Sequence, residues 1–249
     1  MSISPRLRVV PSEPPELVVY DDPGPCSYLP DQRWRLPLRL PVRTLTREEF
    51  GRRLREGDRR QGRLLYRTAC ASCRACEPIR IVVDEFKPSK TQRRILRKGD
   101  AEIEVDIGAI GVSEERVALY NQHKMQRDLS HDEGTTSLDS YRSFLGETCC
   151  ETFEMRYSVD GKLFGVAVVD RADDALSAVY LYWDPSQKRL SPGVYSILKQ
   201  VELCRDLGVA YLYLGLYIEP CKPMTYKSSF LPHERLVDGK WQRFDRSSR

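Results

Sequence analysis

Apolar residues recur every three to four positions at Val194, Ile197, Leu198, Val201 and Cys204. That spacing predicts one amphipathic helix with a buried face. Ser191-Pro192-Gly193 opens it, with proline at the first helical position, and Gly208 stops it. Upstream the period changes. Residues 153–159, 163–170 and 175–183 predict three strands, and Asp160-Gly161 makes a tight turn between the first two. Residues 209–217 predict a further, buried strand. Before this meander, Ser113 caps a helix to about residue 127 and Ser137 caps another to about residue 145. Helix, helix, meander, helix, strand is the order of an α/β fold, a sheet with one major crossover helix.

The first half of the chain is less regular. Thr46 followed by Glu49 is a capping box, so a helix is predicted over residues 47–56. Leu45 and Phe50 form a hydrophobic staple, and Gly57 ends the helix. Residues 64–66 and 79–83 predict short strands. Ser89 and Gln92 repeat the capping-box pattern at the start of a second helix, with Ile95 and Leu96 on its apolar side. These patterns divide the chain into a loose arm rich in proline and charge (1–18), a smaller cysteine-containing α+β domain (19–108) and a C-terminal sheet-and-helix domain (109–249). No internal repeat is visible.

Charge adds a partner. Among 249 residues the net charge is only +4, which by itself says little. Its distribution says more. Residues 33–63 hold eleven arginines against four acids, and residues 87–98 hold no acid. Lys90, Arg93, Arg94, Arg97 and Lys98 crowd one helix, where a bland surface helix mixes signs. Such a face suits phosphate. No run of 18 apolar residues exists, so no membrane span is expected. The N-terminus lacks an apolar signal core, so a cytoplasmic protein is expected.

Cys70-x-x-Cys73-x-x-Cys76 brings three thiols to one point, which a packed core does not require. In an intracellular chain such clusters bind metal or do chemistry more often than they form disulfides. Cys149, Cys150 and Cys204 are expected to be buried, reduced thiols.

The helix-and-meander order resembles the N-acetyltransferase-like fold, in which an acyl donor lies against the helix that follows the meander. Gly193 stands in the equivalent turn, where free N–H groups face an anion or carbonyl oxygen. More specific are Tyr211-Leu212-Tyr213-Leu214-Gly215-Leu216-Tyr217-Ile218 and Met224-Thr225-Tyr226-Lys227-Ser228-Ser229-Phe230-Leu231-Pro232-His233-Glu234. With the cysteine-and-basic block and Pro25-Cys26-Ser27-Tyr28-Leu29, they resemble the signatures of the arginyl-tRNA–protein transferases, whose bacterial branch is called aspartate/glutamate leucyltransferase. The resemblance covers roughly residues 20–243.

It implies a reaction: an amino acid moves from aminoacyl-tRNA to the α-amino group of a protein beginning with Asp or Glu, marking it for degradation by the N-end rule pathway. The expected partners are aminoacyl-tRNA and such acceptor proteins. Nothing in the sequence sets the oligomeric state. Chain length and the cysteine run favour leucine as the donor, with arginine as the alternative. An aminoacyl ester is already activated, so the enzyme must hold ester and amine together, remove a proton and stabilise an oxyanion. Asp170, at the end of a central strand, is the candidate base or ammonium anchor. Tyr226 would donate to the oxyanion or ribose, and Lys227 would face tRNA phosphate or the acceptor's acid. Glu234 would take the acceptor's ammonium. Tyr28 and Arg80 would lie by its N-terminal residue, Arg80 pairing with the carboxylate. Lys90, Arg93 and Arg94 would contact phosphate. His233 reads as an exposed, incidental histidine.

Cys26, Cys70, Cys73 and Cys76 form a candidate four-thiolate site for zinc or an iron–sulfur cluster. Free thiols near the substrate pocket are the other reading. Eukaryotic members use N-terminal cysteines for a cluster, but they carry an adjacent cysteine pair, and here Leu29 stands where the second would fall. The segment Tyr120 to Asp128 also fits the family only loosely. Two competing readings stay open. An acetyltransferase using acetyl-CoA needs a pyrophosphate loop that residues 187–194 match poorly. A non-enzymatic, metal-stabilised RNA-binding module leaves the Met-x-Tyr-Lys segment unexplained.

Overall fold

The computed structural model describes residues 8–126 and 134–245. The chain opens with β1 (Arg8–Val10) and β2 (Glu16–Tyr20), a two-residue pair β3 (Gly24–Pro25) and β4 (Arg33–Trp34), and β5 (Leu38–Pro41). Residues 8–18 are thus largely strand, where the sequence predicts a loose arm. Residues 1–7 of that arm lie outside the described residues. The reason is long-range pairing: β2 pairs antiparallel with β5, about twenty residues on. Glu16 is fully buried there between Arg39 and Arg53, which donate to it at 2.8 and 2.6 Å. A sequence pattern cannot supply that pairing.

Helix α1 (Arg47–Arg55) forms as its caps predict. Thr46 Oγ1 accepts from the Glu49 backbone N–H, and the Glu49 carboxylate accepts from the Thr46 N–H at 2.8 Å. Leu45 and Phe50 are both buried beneath it, and Gly57 follows at φ +89°. Then β6 (Arg59–Gln61) and β7 (Leu64–Tyr66) complete a five-stranded sheet of order β1-β2-β5-β7-β6.

The second sheet carries the site. Its strands are β8 (Glu77–Val82), β9 (Glu104–Gly108), β10 (Thr152–Val159), β11 (Lys162–Arg171), β12 (Ala175–Trp183), β13 (Tyr211–Tyr217), β14 (His233–Val237) and β15 (Lys240–Phe244), in the order β15-β14-β8-β13-β12-β11-β10-β9. The Asp160-Gly161 turn has φ of +51° and +69°, the backbone a two-residue hairpin needs. Strands β8 and β9 join this sheet from the first half of the chain, so the predicted boundary near residue 108 falls inside one sheet. The β14–β15 hairpin is likewise invisible to the sequence reading.

Helices α2 (Lys90–Glu102) and α5 (Pro192–Asp206) cover one face of this sheet; α3 (Glu114–Gln126) and α4 (Leu138–Tyr141) cover the other. Strand β11 serves both faces. Ala167 and Val169 pack towards α5, while Val166 and Val168 pack towards α3. Ile197, Leu198, Val201 and Cys204 on α5 are all buried, as their spacing predicts. Each such aliphatic side chain contributes up to about 1.5–3 kcal/mol on burial. The end of α3 predicted near residue 127 lies outside the described residues. Meander, crossover helix and parallel strand together form the N-acetyltransferase-like layer that the element order implies.

One irregularity positions the site. Strand β12 pairs in parallel with β13 only over Ala175–Ser177 against Tyr211–Tyr213. Beyond that point β13 stays with β8 on its other side, through Leu216–Pro78 and Tyr217–Glu77. Residues 178–183 of β12 are therefore left without β13. The two strands part like a V, open at the edge where both end. Because α5 links these parallel strands, it starts at that same edge.

Candidate active site

Gly215 sits where β13 leaves β12. Its φ of +78° is one that residues with a Cβ rarely adopt, and the register of β13 against β8 shifts between Tyr213 and Leu216. The shift frees the Leu216 carbonyl, which accepts from Lys227 Nζ at 2.6 Å. Lys227 arrives from a tight turn after the short helix α6 (Lys222–Thr225), and only 8% of its surface is exposed. Burial, and after it the Arg59 guanidinium, push Lys227 down to about 7; nearby Cys221 acts in the opposite sense. An amine poised near neutrality can accept and return a proton.

Arg59 reaches the same place from β6. Its guanidinium lies against Gly215, where an added Cβ would sit only 2.6 Å from Nη2, and 5.9 Å from the Tyr66 ring centroid. Tyr28 is 42% exposed, but partial burial of its hydroxyl raises that group's pKa, and Arg59, Tyr66, Cys76 and Cys221 are near enough to act on it. Cys76 lies nearby. Cys76 is pushed up to about 12, first by burial and then by Cys70, Cys26 and Cys73. All eight cysteines are unbridged. Cys149, Cys150 and Cys204 are buried, as predicted. Among the described residues, no three His, Cys, Asp or Glu side chains close to metal-binding distance. The four thiols suit a soft metal in kind, but they do not form a closed shell.

Other predicted residues lie elsewhere or are already engaged. Asp170 is fully buried and is not at an open end. Arg60 holds it with three hydrogen bonds of 2.8–3.0 Å, and Thr152 Oγ1 donates at 2.8 Å. Those bonds take up the carboxylate, so its geometry is that of a structural ion pair and not of a base. Arg80 and Glu234 bind each other. Arg80 donates to Glu234 at 2.7 Å and to the Tyr213 hydroxyl at 2.8 Å. Its guanidinium lies between the Tyr211 and Trp241 rings, at 3.7 and 4.1 Å. Neither partner is open to the acceptor residue as the sequence reading supposes. His233 is buried against Phe230 O and stacked on Phe244, not exposed.

Tyr226 is 44% exposed and begins the turn that carries Lys227. Gly193 lies in the first turn of α5, with nothing within 4 Å of where a Cβ would be. Lys90, Arg93 and Arg94 are exposed on α2, together with Arg97. None of these four makes an ion pair among the described residues. The capping box of Ser89 and Gln92 that starts this helix is present. The structure thus sets both Lys227 and Tyr28 near Arg59 and Cys221, while Asp170, Arg80 and Glu234 are held in ion pairs of their own. Sequence reasoning missed Arg59, Tyr66 and Cys221. A lone glycine inside a strand pattern was the available signal for a close approach at 215.

Residues 24–94 match the family "Arginine-tRNA-protein transferase, N terminus", and residues 115–237 match "Arginine-tRNA-protein transferase, C terminus". The chain is similar to the aspartate/glutamate leucyltransferase of Chromobacterium violaceum, 36% identical over 220 residues, or 88% of this chain and 90% of that one. The corresponding protein of Methylobacillus flagellatus is 35% identical over 217 residues, or 87% of each chain. Among solved structures, L-PGS from Bacillus licheniformis resembles 68% of this chain over 58% of its own, with a TM-score of 0.48 and 9% identity.

Proposed function

The chain belongs to the arginine-tRNA-protein transferase family, and on that premise we propose that it moves leucine from leucyl-tRNA to the α-amino group of proteins beginning with Asp or Glu. Family membership displaces the acetyl-CoA and RNA-module alternatives. The observation that carries the chemistry is Lys227, a buried amine near neutrality at the mouth of the V between β12 and β13.

In the proposed reaction the acceptor's α-amine attacks the carbonyl carbon of the aminoacyl ester. A C–N bond forms, and the C–O bond to the terminal ribose of the tRNA breaks. Lys227, in its neutral form, accepts the proton that the attacking amine loses and returns it to the departing ribose oxygen. Its hydrogen bond to Leu216 O holds the side chain in place while it does so. The first turn of α5 at Gly193, and the Tyr226 hydroxyl, supply donors to the developing oxyanion. The exposed helix face of Lys90, Arg93 and Arg94 receives tRNA phosphates.

Leucine is favoured over arginine as the donor because the similar proteins of Chromobacterium violaceum and Methylobacillus flagellatus are named aspartate/glutamate leucyltransferases. For Cys26, Cys70, Cys73 and Cys76, the proposal includes a zinc ion or iron–sulfur cluster that would fix the cysteine loop beside Tyr28. Metal analysis of protein purified without oxygen tests that part. Stoichiometric zinc, or iron with sulfide, supports it; four titratable thiols without metal reject it.

The transfer itself is tested by offering radiolabelled leucyl-tRNA and arginyl-tRNA to peptides beginning with Asp, Glu or Ala. Label from leucyl-tRNA on the Asp and Glu peptides alone is the expected result. Label from arginyl-tRNA would reverse the donor assignment, and no label from either would overturn the proposal.

A further inference from the structure

We infer that Arg59 is the residue that selects the acceptor, its guanidinium taking the side-chain carboxylate of an N-terminal Asp or Glu. The inference rests on the transfer reaction proposed above and names a determinant of its specificity. Arg59 is half-buried on β6. Nearby arginines are committed to carboxylates: Arg39 and Arg53 to Glu16, Arg60 to Asp170, Arg80 to Glu234. Arg59 has no carboxylate partner among the described residues. Its guanidinium instead lies against the Cα of Gly215 and faces Tyr66.

The proposed base is close by. Arg59 is near enough to Lys227 to help depress it. Arg59 keeps its positive charge on a half-buried strand without a carboxylate paired to it among the described residues, and such a place attracts an anion. The fork of a guanidinium matches the two oxygens of a carboxylate. A phosphate-bearing strand is better served by the exposed cations of α2 than by this recessed single fork. The spacing also suits the reaction. In Asp or Glu the carboxylate and the α-amine are only a few bonds apart. An anion held at Arg59 therefore brings the nucleophilic amine towards Lys227, and Tyr28 lies near the same guanidinium. An Asn, Gln or Ala residue would leave the guanidinium without its partner, which is how buried polar sites reject near-isosteres.

The test compares wild-type protein with Arg59→Ala and Arg59→Lys. Leucyl transfer to peptides beginning with Asp and with Asn is measured, along with KM for leucyl-tRNA and thermal melting. Binding of the same two peptides is titrated calorimetrically without tRNA. The expected result is a fall of about 10²-fold or more in the Asp-over-Asn preference of kcat/KM. KM for leucyl-tRNA should stay within about 2-fold, and the calorimetric preference for Asp should vanish. If Arg59→Ala does not fold, Arg59→Lys carries the test, since it keeps the charge and loses the fork. A folded variant that keeps the wild-type preference overturns the inference. So does a variant whose only change is a raised KM for leucyl-tRNA, which would assign the guanidinium to tRNA phosphate. A wild-type protein that transfers to no peptide but binds Asp over Asn would sink the transfer reading and leave the Arg59 pocket standing.

Discussion

Arg60 and Asp170 lie 110 residues apart in sequence and are joined by three hydrogen bonds, both side chains being at most 1% exposed. The pair ties β6 of the smaller sheet to β11 of the larger one. Asp170→Ala would strand a buried guanidinium and should lower unfolding free energy by about 3–5 kcal/mol. Denaturant titration reads this directly. Turnover per folded molecule should change little, and a large drop in kcat at full stability would return Asp170 to the chemistry.

Lys227 makes a pH prediction for stability. Its ordinary value is 10.5 and its folded value about 7. Between those values the unfolded chain binds the extra proton, so stability rises with pH from about 7 to 10.5. The cost of the buried ammonium is fully present below 7. Lys227→Met should therefore be stabilised relative to wild type at pH 6, with the advantage shrinking towards pH 10. Chemical denaturation at several pH values checks the sign.

The same residue makes a kinetic prediction. If its neutral amine accepts the proton, kcat/KM should climb with pH through about 7. Lys227→Met should lose that limb and roughly 10²–10⁴-fold in rate. A rate profile with the limb intact in the variant would place the proton elsewhere.

Arg80 and Glu234 form a cage with Tyr213 and Trp241, not an acceptor site. Glu234→Gln should cost about 1–3 kcal/mol of stability, the scale of a lost charged hydrogen bond. KM for Asp-beginning peptides should stay near the wild-type value. Trp241 fluorescence, beside the guanidinium, reports the disturbance. A many-fold rise in peptide KM with stability unchanged would contradict this.

On α2, changing Lys90, Arg93 and Arg94 together to alanine should weaken tRNA binding. It should also reduce the slope of log affinity against log salt by about 2–3. Binding measured at four salt concentrations gives the slope, and an unchanged slope would remove this helix from the tRNA surface.

Much of the fold was written locally. Thr46 with Glu49 and Ser89 with Gln92 start their helices because a cap needs only residues three apart. The face of α5 and the Asp160-Gly161 turn depend on equally short spacings, so the sequence alone determined them. The family signatures around Tyr226 and Lys227 also survive as linear strings. The states of the site residues do not. Whether Asp170 is a base or half of an ion pair depends on Arg60, far away in the chain. Arg80 is spoken for because strand register sets it opposite both Tyr213 and Glu234. Lys227 owes its depressed pKa to burial, and Arg59 meets Gly215 only because β6 carries it there. Tertiary structure decided these roles, because burial and charge pairing are set by which distant segments share a space, and one-dimensional spacing does not record that.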